Sequence, residues 1–218
     1  MPPSVRFGKE EILHAALQIV REGGIAQLSA RNIAEKMGSS TAPIYSCFPS
    51  MEELIKAVYA AANERLIEYM AHSWTGAPFL NMGIGMTMLA RDEPNYYKML
   101  QFEAIPFEYD EPGDQERYLD LMGNDPLFAE MSRDLLLSLL QTMTIVTHGL
   151  AAYVCTGKIK DVTAQWVANW LEDVGAAIIA DAFTRAGKTV PSEYIGVQPV
   201  VIHADPPPQK SYEHTTAR

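Results

Sequence analysis

Residues 28–48 read LSARNIAEKMGSSTAPIYSCF, and this stretch decides the fold of the N-terminal region. Ser29 is a favourable N-cap for a short helix that ends at Gly38. One of the serines after Gly38 is expected to cap a second short helix, with Pro43 in its first turn, where a missing N–H costs little. Two capped helices joined by a glycine-containing turn predict a helix-turn-helix.

The second helix of such a motif offers its N-terminal half to a DNA major groove, where short side chains let the backbone come close. Arg31 is the one long donor placed to reach a base edge or a phosphate, and Ile44 is expected to face the core. Further contacts are expected from short side chains and from N–H groups near the two helix N-termini, at Ser29, Ser40, Thr41, Ala42 and Ser46.

The rest of the chain also has helical periodicity, so the sequence predicts an all-α fold. Three segments carry the argument: a long helix capped by Ser50, a charge-free helix over 135–157, and a last helix over 162–186. The run from Pro126 is expected to start a helix that could continue into the charge-free one. We expect a helix-turn-helix domain at 1–50, a helical domain at 51–188 and an extended or disordered proline-rich tail at 189–218.

The formal net charge of the 218-residue chain is −10, which by itself argues against nucleic acid. Residues 1–66, however, hold seven Lys and Arg and seven Asp and Glu, so the whole deficit lies in the remainder. A neutral N-terminal segment on an acidic body is compatible with DNA binding that is only weakly driven by charge.

The pattern of residues 9–58 resembles the N-terminal domain of the TetR family of bacterial transcription regulators. EEILHAALQIVREGG, LSARNIAEKMGSS and PIYSCFPSMEELIKAV carry the likeness, and the helix lengths agree. The resemblance implies phosphate contacts from Ser29 and Tyr45, and groove contacts from Arg31, Thr41, Ala42, Pro43 and Ser46. It also implies a homodimer that binds double-stranded operator DNA through two recognition helices, most often as a repressor.

Three positions depart from the family pattern. The family often has Thr or Val at Ala30, His at Cys47 and Lys at Met51. Cys47 lies at the end of the recognition helix, and we expect it among the residues that face DNA. The Lys missing at Met51 usually contacts phosphate, so we expect modest affinity and a shallow dependence on salt.

Methionines and aromatic residues cluster in the body of the chain. For any single one, ordinary core is the simpler interpretation, whereas as a group they suit a pocket for varied apolar ligands. The resemblance implies a cavity among helices 4 to 8, whose ligand would move helix 4 and release the operator. We expect an apolar or aromatic effector in contact with Met86, Met99, Phe102, Met122, Phe128 and His148.

The charge-free 135–157 helix is long enough to span a membrane, but its polar residues and glycines favour burial in protein. In the family, the corresponding helix and the next one form a four-helix dimer interface, so we expect a homodimer through 135–157 and 162–186. We expect no membrane association, and the two cysteines and the absence of a secretory signal favour the cytoplasm.

Catalytic and metal signals do not stand out. The five histidines and two cysteines lack a metal-ligand spacing, and no carboxylate pair lies in an apolar setting that suggests acid–base catalysis. We therefore expect no metal, no cofactor and no enzyme activity. Two alternatives remain open: a sensor of the same fold that has lost DNA binding, and a small all-α enzyme that uses the methionine-rich cavity.

Overall fold

The computed structural model describes residues 7–104, 114–192, 202 and 205, and within these ranges all regular structure is helical. The all-α prediction is confirmed. Nine α-helices and two short 3-10 turns follow one another along these ranges. They are α1 (Lys9–Gly23), a turn at Ile25–Gln27, α2 (Ala30–Lys36), α3 (Ala42–Cys47), α4 (Met51–Ala71), α5 (Pro78–Asp92), α6 (Pro94–Gln101), α7 (Asp114–Gly123), a turn at Pro126–Phe128, α8 (Arg133–Cys155) and α9 (Ala164–Arg185).

Local capping sets most helix ends where the sequence places them. The Ser29 hydroxyl accepts a hydrogen bond from the backbone N–H of Asn32 at 3.2 Å and so starts α2. Gly38 has φ +61°, a conformation that glycine adopts without a Cβ penalty, and it turns the chain toward α3. Ser50 accepts from the N–H of Glu53 at 3.2 Å at the start of α4.

Two expected helix starts are wrong. The N-cap of α3 is Thr41, not a serine, and its side chain makes no capping bond. The run from Pro126 does not continue into the charge-free helix. Asp125 caps a single 3-10 turn there, and Ser132 starts α8 separately by accepting from the N–H of Leu135 at 3.4 Å. The cap at Ser132 therefore separates two segments that the apolar pattern predicted as one helix.

The chain divides into two compact units by its internal contacts. Of the described residues, the first unit contains 7–65 and 93–104, and the second contains 66–92, 114–192, 202 and 205. The predicted tail at 189–218 lies outside the described residues except for 189–192, 202 and 205.

The first unit has a core in which α1 is central. Ile12, Ala16 and Val20 lie on one face of α1 and are fully buried. Residues from the other helices of this unit close the core around them, including Ile33, Ile44, Phe48, Leu54, Val58 and Met99. The apolar residues that recur every three or four positions along α1 thus share one core with residues from every other helix of the unit.

The second unit is built around α5, which packs against α7, α8 and α9. Ten of the fifteen residues of α5 are buried, so very little of this helix faces solvent. Two glycines allow neighbours to approach: a Cβ at Gly83 would lie 2.7 Å from a methyl of Leu171, and one at Gly85 would lie 2.1 Å from the carbonyl oxygen of Tyr69. The buried Trp74 donates its indole N–H to the same carbonyl at 2.8 Å.

Candidate nucleic-acid interface

The exposed side of α3 is the surface that the sequence singles out for DNA. Ile44 is 1% exposed and holds α3 to the core, with Phe48 buried directly after the helix. The remaining predicted residues of this region face solvent or lie partly exposed. Exposed are Arg31, Ser40, Thr41, Ala42, Tyr45 and Ser46, and partly exposed are Ser29, Pro43 and Cys47.

Tyr45 is the large side chain of this surface. It is 51% exposed although it is aromatic, which leaves its hydroxyl and ring edge available at the middle of α3. Ser46 is less available, because its hydroxyl bonds back to the Ala42 carbonyl at 3.0 Å. Cys47 is also engaged: its Sγ lies 3.6 Å from the Phe7 carbonyl oxygen, between α3 and the residues that precede α1.

Ion pairs neutralise two of the described basic side chains around this surface, Lys36 and Lys56. Lys36 of α2 pairs with Glu22 of α1 at 3.0 Å. Lys56 pairs with Glu52 at 2.9 Å and with Glu53 at 3.1 Å, and hydrogen bonds to these two carboxylates raise the pKa of Lys56. The zero net charge of this segment can be counted from its residues, whereas these pairings depend on the fold.

Two cations near the motif are arranged differently. The ammonium of Lys9 lies 5.1 Å from the ring centroid of Phe48, so α1 starts against the residue directly after α3. Arg31 is exposed and forms no ion pair with any residue in the described ranges. Arg31 is therefore the basic side chain of α2 whose charge is not locally compensated.

The six residues predicted to line an effector site are divided between the two units. Met99, fully buried, and Phe102, 57% exposed, belong to the first unit. Met86, Met122, Phe128 and His148 belong to the second. Phe128 packs edge to face on Phe79 with the ring centroids 5.2 Å apart, and burial lowers the pKa of His148. The first two residues thus occupy a different unit from the other four.

Helix α8 has an uncharged exposed face. After the exposed and charged Arg133 and Asp134 of its first turn, the exposed residues of α8 carry no charge at neutral pH: Ser138, Gln141, Thr142, Ile145, Gly149 and Tyr153. Ile145 is 74% and Tyr153 53% exposed, and Trp166 at the start of α9 is 38% exposed. Isolated exposed apolar residues are ordinary, but an exposed helix face that carries no charge from residue 138 to residue 153 is not.

The same helix is the one described segment long and apolar enough to cross a membrane by length and composition. Its most apolar window has a mean hydropathy of 1.5, and 33% of that window is buried. Core helices of soluble proteins meet the same two criteria, so length and hydropathy alone do not place α8 in a bilayer.

Potential metal ligands do not converge in the ranges that the structure covers: no group of three His, Cys, Asp or Glu residues there is placed to hold an ion. His203 and His214 lie outside those ranges. The free thiols of Cys47 and Cys155 are on different helices and form no disulfide.

Comparison with known proteins places this helix-turn-helix in a class. Residues 12–58 match the family model described as bacterial regulatory proteins, tetR family. The HTH-type nicotine-responsive transcriptional repressor HdnoR of Paenarthrobacter nicotinovorans is 29% identical over 59 residues, which is 27% of this chain and 30% of that protein. The chain therefore matches less than a third of this relative's length.

Solved structures extend the likeness to the fold of most of the chain. A TetR-like transcriptional regulator from Rhodococcus sp. RHA1 has a TM-score of 0.53 and 18% identity, over 86% of this chain and 100% of the other. A second TetR transcriptional regulator from the same organism has a TM-score of 0.51 and 16% identity, over 79% and 94%. The class is thus an all-helical protein with an N-terminal helix-turn-helix. Residues 12–58 thus resemble the TetR family, as the sequence predicts, and the solved structures share the helical fold.

Proposed function

We propose that the protein is a ligand-responsive transcriptional regulator that binds double-stranded operator DNA and acts as a repressor. The observation that carries the proposal is the exposed side of α3, with Tyr45 and the short side chains of Thr41 and Ala42 on a helix held from below by Ile44. A major groove admits such a helix, since small side chains let its backbone approach the base edges. The match over residues 12–58 supports the same conclusion.

The roles within this surface follow from reach and chemistry. Arg31 supplies the long cationic donor to a base edge or a phosphate, and Ser29 and Tyr45 contact phosphate oxygens. The backbone near Ser40 and Thr41 and the side chains of Ala42, Pro43, Ser46 and Cys47 follow the groove. The last two are tied to backbone carbonyls and act more through shape than through hydrogen bonds to DNA.

The direct test is selection of operator sequences from random duplexes with the full chain, followed by titration in a mobility-shift assay. A pseudo-palindromic site is expected, together with a loss of affinity of about tenfold or more on Arg31→Ala, because a side chain that reads a base contributes about 1–3 kcal/mol. Enrichment of no sequence, or binding that Arg31→Ala leaves unchanged, contradicts the proposal. The first outcome favours a sensor of this fold without DNA binding.

We further propose that two copies associate through α8 and α9. Ile145 and Tyr153 are large apolar residues on the exposed uncharged face of α8, and Trp166 is exposed on α9, which packs against α8. Only a third of the apolar window of α8 is buried within its own chain, and a second copy offers an identical apolar face. Twofold symmetry would also present two α3 helices to successive major grooves, one helical turn of DNA apart.

The effector site is proposed within the second unit, at Met86, Met122, Phe128 and His148. The first three are buried, and the lowered pKa of His148 means that the imidazole is neutral at pH 7 and offers a hydrogen bond rather than a charge. Such a lining suits an uncharged apolar or aromatic molecule. Met99 and Phe102 belong to the first unit, so they lie outside the site proposed here.

Effector binding would act by population shift: the ligand binds better to a conformation whose α3 helices no longer match the operator. Helix α4, which begins in the first unit and ends in the second, is one path for this coupling. We propose 1–50 as the DNA-binding domain, 51–188 as the ligand-binding and dimerisation domain, 189–218 as a tail, and the cytoplasm as the location. An enzymatic role has no supporting residue cluster in the described ranges.

A further inference from the structure

Two residues near the C-terminus lie against the helices of the second unit. Ile202 is half-buried and Asp205 is exposed, and the main chain of each forms a hydrogen bond with a side chain far away in the sequence. The proline content of this region and its lack of helical periodicity predict an extended or disordered tail. The two hydrogen bonds give Ile202 and Asp205 a defined place instead.

The first contact lies in the first turn of α9. The backbone N–H of Ile202 donates to Oε1 of Gln165 at 3.3 Å. Nε2 of the same amide donates to Oδ1 of Asn169, one turn further along α9, at 2.9 Å. Because both ends of the Gln165 amide are engaged, the side chain is held in an orientation that presents its oxygen to Ile202.

The second contact lies directly after the end of α4. Nε2 of His72 is 2.6 Å from the carbonyl oxygen of Asp205, and since a carbonyl only accepts, the imidazole is the donor. The His72 ring packs edge to face on Trp74 with the ring centroids 4.8 Å apart. Trp74 is fully buried and donates its indole N–H to the Tyr69 carbonyl at 2.8 Å. A fixed, buried neighbour therefore positions the imidazole for Asp205.

The two contacts are close together in space although α5 to α8 separate them in the sequence. Ile202 and Asp205 are three positions apart, so their α-carbons are at most about 11 Å from each other. One short segment therefore bridges the end of α4 and the start of α9, which both belong to the second unit. The proline that follows Asp205 in the sequence favours an extended backbone there, which reduces the conformational entropy lost on docking.

We propose that His72 and Gln165, with Trp74 behind the imidazole, form a docking surface for the C-terminal segment that contains Ile202 and Asp205. The docked segment fastens the end of α4 to the first turn of α9. Both hydrogen bonds use the main chain of the segment, so the surface recognises an extended backbone and depends little on the side chain of Asp205. The docking lies within the second unit and requires neither DNA nor an effector.

Amide hydrogen exchange, measured by NMR on the full-length chain, tests the docking. The Ile202 amide is expected to exchange at least about fivefold more slowly than the same amide in a synthetic peptide of residues 199–208. Gln165→Ala removes the acceptor of that N–H, and His72→Phe removes the other hydrogen bond while keeping an aromatic ring against Trp74. Each variant is expected to speed exchange at Ile202 by about threefold or more, and circular dichroism checks that each is folded.

Two variants of the segment itself keep the test decisive. Asp205→Ala is the matched control: it keeps the carbonyl that His72 binds and is expected to change exchange at Ile202 by less than about twofold. Ile202→Pro deletes the N–H donor outside any helix, so it serves if a helix variant does not fold.

The readout for Ile202→Pro is the backbone N–H of Trp74, which donates to the His72 carbonyl at 2.9 Å. Its exchange is expected to speed up by about threefold, because the undocked segment no longer restrains His72. An Ile202 amide that exchanges as fast in the wild type as in the peptide overturns the proposal. So does unchanged exchange at Ile202 in His72→Phe, an effect of Asp205→Ala as large as that of His72→Phe, or unchanged exchange at Trp74 in Ile202→Pro.

Discussion

Gly85 of α5 lies directly against the carbonyl of Tyr69 in α4: a Cβ at Gly85 would be 2.1 Å from that oxygen and 2.6 Å from the N of Met70. The second unit is therefore packed backbone to backbone at this point. Tyr69 is also the residue whose carbonyl accepts from Trp74 and whose hydroxyl donates to Asp92. The position of the α5 end depends on this close approach.

Gly85→Ala is accordingly expected to destabilise the protein strongly. The neighbour is main chain and cannot rotate away, so a cost of about 3 kcal/mol or more is expected, or about 6–12 °C in Tm at this length. Gly123→Ala is the control, because no atom lies within 4 Å of a Cβ at that position. Thermal melts at one protein concentration compare the two, and equal Tm values would contradict the packing described.

Ser29→Ala separates capping from DNA contact when it is paired with Ser50→Ala. Each hydroxyl accepts from the N–H three residues on at 3.2 Å, so both variants are expected to lose about 1 kcal/mol of stability. Only Ser29→Ala is expected to weaken operator binding further, since that hydroxyl faces the proposed phosphate contact. Chemical denaturation and mobility-shift titration measure the two effects, and an equal loss of affinity in both variants would reduce Ser29 to a cap.

Met51→Lys places at the start of α4 the cation that the family pattern has there. The nearby cations of Lys36 in α2 and Lys56 in α4 are already paired with carboxylates. The wild-type chain is expected to show a shallow salt dependence, with a slope of log K against log salt of about −2 to −4, and the variant to steepen it by about 0.9 per added contact. Asn124→Lys adds the same charge in the second unit and serves as the control. A wild-type slope near −10 would contradict the weak role of charge.

Ile145→Glu places a charge on the exposed uncharged face of α8 and is expected to shift the protein from dimer to monomer. A buried unpaired carboxylate costs several kcal/mol, so the dissociation constant should rise by about a hundredfold or more. Asn124→Glu adds the same charge at an exposed residue outside that face. Sedimentation equilibrium distinguishes the two, and a wild-type chain that is monomeric at micromolar concentration would refute the interface.

The carboxyl group of Glu172 predicts how the stability of the protein depends on pH. Burial, and then the neighbouring charge of Asp173, raise the pKa of its carboxyl above the ordinary 4.5, and its Oε2 is buried without a hydrogen-bond partner among the described residues. A raised folded-state pKa means that the ionised form is penalised in the folded state above that pKa. The penalty disappears as pH falls below the unfolded-state value, where both states are protonated.

Glu172→Gln is therefore expected to raise Tm at pH 7 by about 1–2 °C, a modest value because the carboxyl is partly solvated, and by less at each step toward pH 4. Glu130→Gln is the opposite case, since the hydrogen bond from Lys188 lowers the pKa of Glu130 and stabilises its charged form. A gain at pH 4 as large as that at pH 7 would show that the charge of Glu172 is not the cause.

The sequence alone determined the local structure of the helix-turn-helix. The N-cap at Ser29, the turn at Gly38, the early Pro43 and the inward Ile44 are all where the residue types predict, because capping and helical periodicity depend on residues within one or two turns. The family resemblance rests on this same local pattern, and the match over residues 12–58 agrees with it.

Only the tertiary structure decided the relations between distant segments. The ion pair of Arg21 with Glu93 and the hydrogen bond of Tyr96 to Leu17 put α6 in the first unit, although α5 before it belongs to the second. Phe102 directly follows α6, so its exposure also depends on how α6 packs within the first unit. Periodicity shows which residues share a helix face, whereas the partner of that face depends on packing energies summed over elements tens of residues apart.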